Sequence, residues 1–94
     1  MSNLNDYQKG LIDSSLQDIK DITSNDYSLS KLNAALDNLK SELRILPDFK
    51  DYALKQIAGI IQVFQAREKR FYVKFHQMNP RFLEVILNLH NFKA

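Results

Sequence analysis

The stretch LSKLNAALDNLKSELRIL, residues 29–46, decides the fold. Its leucines fall at Leu29, Leu32, Leu36, Leu39, Leu43 and Leu46, in alternating steps of three and four. That alternation places all six on one face of an α-helix. Heptad spacing invites a coiled-coil reading, but three features oppose it. The run covers about two and a half heptads, fewer than a sustained coiled coil needs. Leucine fills every a and d position, with no β-branched residue at a and no polar residue to fix register. With Leu29 at a, the g positions are Ser28, Ala35 and Glu42, and the e positions are Asn33, Lys40 and Pro47. These lack the Glu/Lys pattern that joins parallel copies. The stripe therefore reads as the core-facing side of one helix within a bundle. Each fully buried leucine contributes about 1.5–3 kcal/mol.

Punctuation on either side defines the neighbours. Thr23-Ser24-Asn25-Asp26 is a loop cluster, and Ser28 or Asp26 supplies the cap for the leucine helix. Upstream, Leu4, Tyr7, Leu11, Ile12, Leu16, Ile19 and Ile22 form the stripe of a first helix, with residues 1–3 expected outside it. Gly10 argues for a later start, and Asp18 and Asp21 oppose the macrodipole near the far end. Downstream, Pro47 ends the leucine helix and suits the first turn of the next. That third helix carries Phe49, Tyr52, Ala53, Ile57, Ile60, Ile61 and Phe64 on one face. Gly59 falls opposite this face and marks a bend or a close contact. The polar run QAREKR, residues 65–70, interrupts the face before Phe71, Phe75 and Met78 resume it, with Tyr72 alongside. Asn79-Pro80 then opens a fourth helix, apolar except for a stripe of Arg81, Glu84, Asn88 and Asn91. Such a helix is expected to be buried on most sides.

The expected fold is a single all-α domain, residues 1–94. It is a small antiparallel bundle of three to four helices at about 4–23, 28–46, 48–78 with a break at 65–70, and 80–92. At ~1.5 Å per residue the second helix is about 28 Å long and an unbroken third about 46 Å. Packed antiparallel from Pro47, the second is used up near residue 66, where QAREKR begins. Either the third helix projects beyond the bundle and pairs there with the fourth, or it breaks and the fourth folds back onto the first two.

Composition bounds the function. No run of 18 apolar residues is present, so no transmembrane helix is expected. Zero cysteines exclude a disulfide framework and a thiol nucleophile. The N-terminus shows no secretory pattern, and a cytoplasmic location is expected. The net charge of +2 is unevenly spread. Residues 1–66 hold seven Lys/Arg against nine Asp/Glu, whereas residues 67–94 hold six against two.

That basic final third holds the candidate sites. A protein-binding surface on the C-terminal helical hairpin is assigned to Arg67, Arg70, Phe71, Tyr72, Lys74, Phe75, Phe82 and Ile86. In the projecting arrangement this surface is too large for one chain to cover, which marks a contact with another protein or, as a homodimer, with itself. The first reading is therefore a non-enzymatic protein–protein interaction module. The alternative is a nucleic-acid-binding accessory protein. Its basic stripe of Arg67, Arg70, Lys74 and Arg81, with Lys69 beside it, would lie along phosphates. A membrane-surface role is disfavoured, because core packing explains the aromatics more simply. Glu68 is expected to pair with an arginine or face solvent at the break. His76 and His90 match no metal-ligand spacing, and neither a metal nor another cofactor is expected. No phosphate loop, nucleophile elbow or HExxH motif is present, and the acids at Asp18/Asp21 and Asp48/Asp51 read as helix-end charge. No catalytic residue and no small-molecule substrate are assigned. At the level of fold class alone, size and charge are similar to bacteriocin-type immunity proteins, a weaker alternative that no motif carries.

Overall fold

The computed structural model describes residues 2–25 and 27–94, with side chains described from Asp6 onward. Four α-helices follow in order: α1 (Ser2–Ser24), α2 (Leu29–Ile45), α3 (Lys50–Phe75) and α4 (Phe82–Lys93). A 3-10 turn, Pro47–Phe49, joins α2 to α3. Met1, and Asp26 as a candidate cap, lie outside the described residues. Gly10 does not delay α1, which is helical from Ser2.

The leucine stripe enters the core as its spacing requires. Leu32, Leu36 and Leu39 are buried, and Leu29, Leu43 and Leu46 pack against them half-buried. Ser28 caps α2, its side chain accepting the backbone N–H of Lys31. α1 adds Ile12, Leu16 and Ile19, while Tyr7 and Leu11 from the start of its expected stripe are exposed. Ala53, Ile57, Ile60, Ile61 and Phe64 of α3 and Val85, Ile86 and Leu89 of α4 complete the core. α1 packs chiefly on α2 and α3 on α4, with α1–α3 and α2–α4 contacts closing the ring. Gly59 is exposed with open space around it, so it marks no close approach.

α3 differs from both expected alternatives. It runs through QAREKR without a break, yet α4 still folds back, onto α3 and α2. Polarity at 65–70 is thus a helix leaving the bundle rather than a helix ending. α3 has 26 residues where α2 has 17 and α4 has 12, which draws the molecule out to 52 × 21 × 21 Å. It stops at Phe75, earlier than expected, with His76 in the left-handed region at φ 54°. Asn79 turns the chain, its side-chain Oδ1 accepting the Arg81 N–H at 2.9 Å before α4 begins at Phe82. α4 buries one face only: Leu83 and Leu87 lie exposed on the other.

Candidate functional site

The site begins where the bundle stops. α1 ends beside Arg67, whose guanidinium donates to the Thr23 carbonyl oxygen. The last turn of α1 carries no basic residue to compensate its dipole. Arg67 supplies one from α3, where positive charge is favourable. Its Nε is buried without a hydrogen-bond partner among the described residues. The guanidinium is therefore committed to the helix end rather than to solvent.

One residue on, Glu68 is 3% exposed and faces inward. It accepts from the Tyr27 hydroxyl at 3.2 Å and from the Asn79 backbone N–H at 2.7 Å. It is neither exposed nor paired with an arginine, in contrast to the sequence expectation. Tyr27 sits at φ 50°, a left-handed conformation unusual for an aromatic residue. Three contacts hold it there. Its N–H bonds the Ile22 carbonyl at 3.1 Å, its ring meets Phe64 edge-on at 5.0 Å, and its hydroxyl bonds Glu68. Burial raises the Tyr27 pKa, the neighbouring Arg67 opposes that shift, and Glu68 adds to it. Phe82 stacks on the other side of Phe64 at 5.2 Å. Glu68, Tyr27 and Asn79 thus form a latch that ties the start of α2 and the start of the return segment to α3.

Beyond the latch, residues 69–75 continue α3 for about 10 Å. At ~100° per residue, Phe71 and Phe75 remain on the face that carries Ile57 and Phe64. Nothing comparable covers them: Phe71 is 40%, Tyr72 50%, Val73 65%, Phe75 54% and Met78 45% exposed. The Phe71 and Phe75 rings pack on each other at 4.7 Å, and the Lys74 ammonium lies 5.3 Å from the Phe75 ring. Lys69, Arg70 and Lys74 accompany them. None of these three, nor Arg81, forms a salt bridge among the described residues. The result is an apolar tip framed by unneutralised cations.

The structure brings together Arg70, Phe71, Tyr72, Lys74 and Phe75 of the expected protein-binding set. The other three serve the bundle: Ile86 is a core residue, Phe82 stacks on Phe64, and Arg67 closes α1. The nucleic-acid stripe is also divided. α3 ends before Arg81, and Arg67 is turned inward, so Lys69, Arg70 and Lys74 alone remain on the projecting helix. Val73 and the latch residues Tyr27 and Asn79 were absent from the expected set. For Val73 the signal was available, since it lies within the same apolar run. Tyr27 comes from a distant loop, and no local pattern marks it.

An open groove of about 430 Å³ runs between α1 and α3 past Gln17, Lys20, Gly59 and Arg67. No described helix is long and apolar enough to cross a membrane. Comparison with known proteins finds no matching family model, no matching curated sequence and no matching solved structure.

Proposed function

We propose that this chain is a non-enzymatic interaction module that docks through the projecting end of α3 and the turn after it, residues 69–78. One observation carries the reading. The inward stripe of α3 continues to Phe71 and Phe75 beyond the level at which α1 ends, and both rings remain substantially exposed. A contiguous exposed apolar surface of this kind marks a contact site. The one buried acid near it, Glu68, has its oxygens engaged by Tyr27 and Asn79 and acts as a structural tie rather than a reactive group. The basic frame sets the partner's chemistry: apolar, with negative charge at the rim. Any occupant that offers an apolar interior behind a negative rim fits this description, a protein cleft edged by carboxylates among them. A second copy fits it less well, because Lys69, Arg70 and Lys74 would face the same three cations. The cytoplasm is the compartment we propose.

The test is Phe71→Glu, followed by circular dichroism, binding of the hydrophobic dye bis-ANS, and sedimentation equilibrium over a wide concentration range. The variant is expected to stay folded and lose most of the dye signal, and any self-association of the native chain should go with it. An unfolded variant would show that Phe71 belongs to the core and would end the docking reading.

A further inference from the structure

We infer that the projecting tip enters the interfacial region of an anionic lipid surface. This rests on the reading of residues 69–78 as the docking surface and names what docks there.

The geometry separates lipid from a protein cleft. Tyr72 lies about 100° around α3 from Phe71, and Val73 about 200° from both Phe71 and Phe75. Met78 adds to the tip from the return segment. Apolar side chains therefore face several sides of the tip. A groove that takes one face of a helix leaves Val73 or Phe75 wet, and a protein covers all of them only by enclosing the tip, whereas a fluid interface surrounds it without a preformed shape. The simpler assignment of the aromatics to a core holds for Phe82, which packs on Phe64, but Phe71, Tyr72 and Phe75 are exposed.

Depth and charge agree with this. Phe75 lies five positions beyond Arg70, about 7.5 Å of helix. That matches the ~5–10 Å to which apolar groups enter the headgroup boundary. Lys69 and Arg70 then stand at the level of lipid phosphates, and Lys74 reaches back to them along its own alkyl stem. The nearest acid in sequence, Glu68, is buried in the latch, with its oxygens turned to Tyr27 and Asn79 rather than to the tip surface. The latch also fixes both ends of the tip, so little chain has to be ordered on insertion. Association is peripheral, consistent with helices that are not long and apolar enough to span.

The chain contains no tryptophan, so Phe75→Trp provides a single reporter. Vesicles of phosphatidylcholine, with and without phosphatidylserine, are the probe. The reporter's emission is expected to shift to the blue on anionic vesicles, and not on neutral ones. In co-sedimentation of the native chain, Lys69→Glu/Lys74→Glu and Phe71→Ser/Phe75→Ser should each lower binding about tenfold or more. Added salt should weaken it, and Leu83→Ser/Leu87→Ser on the outer face of α4 should leave it unchanged. Absence of a blue shift on anionic vesicles overturns the proposal, as does equal binding by the Phe71→Ser/Phe75→Ser variant. If the lipid arm fails while Phe71→Glu still abolishes dye binding or self-association, the docking reading stands and a protein occupies the tip. If Phe71→Glu changes neither in a folded chain, both readings fall.

Discussion

Two parts of α3 carry the same pattern and meet different fates. Ile57, Ile61 and Phe64 are buried among the other three helices, whereas Phe71 and Phe75 continue their stripe into solvent. The periodicity is unchanged across the boundary. What changes is the length of the neighbours: α1 ends at Ser24 and α2 starts at Leu29, both level with Glu68. An apolar stripe is therefore a statement about a helix face alone. Whether that face becomes core or contact surface depends on how far its neighbours reach.

Truncation at matched positions tests this contrast most strongly. Phe64→Ala should cost about 4 kcal/mol, because the ring is fully buried and supports both Tyr27 and Phe82. Urea unfolding followed by circular dichroism measures it, and a loss below about 1 kcal/mol would erase the distinction between the two halves. At the boundary, Glu68→Ala should cost about 2 kcal/mol by removing two part-buried hydrogen bonds, those from the Tyr27 hydroxyl and the Asn79 N–H. Hydrogen exchange should show the segment 76–81 opening ahead of the bundle in that variant.

A polar tie in the covered half gives a smaller, pH-dependent effect. The Tyr52 hydroxyl donates to Asp13, which also pairs with Lys9 at 2.9 Å. Tyr52 first, and Lys9 after it, hold the Asp13 carboxyl below the usual carboxylate range. A lowered folded-state pKa contributes stability above the unfolded value and loses it as pH falls through the folded one. Tyr52→Phe should therefore cost about 1 kcal/mol or less at neutral pH, since Asp13 is partly exposed and screened. That cost should fade below about pH 4. Smallest of all, Phe75→Ala should change stability by about 0.5 kcal/mol or less, the behaviour of a surface position.

These contrasts also separate what could be read from the sequence from what could not. The four helices were legible because their signals are local: the leucine period, Ser28 as cap, Pro47 as stop and Asn79-Pro80 as turn. Length comparison correctly placed a change near residue 66. The nature of the change was not legible, since a polar turn looks alike whether a helix breaks or leaves its bundle. Phe82 and Ile86 read as binding-surface residues in the sequence because the side on which α4 packs is set by contacts with α3 and with α2 far upstream. Glu68 reads as exposed or arginine-paired in the sequence for a related reason. Its partners are a tyrosine 41 residues earlier and a backbone N–H 11 residues later, and neither leaves a mark at short range.

The bond between Glu68 and the Asn79 N–H has a modular consequence. The two residues that bracket the tip hold each other, so the ten residues between them begin and end at one point in space. Such an excursion behaves as a cassette. Its sequence can be exchanged, shortened or transplanted while the bundle below registers only that its ends still meet. Recognition and folding are thereby written in separate parts of the chain, and new specificities can be tried at the tip without re-solving the packing beneath it.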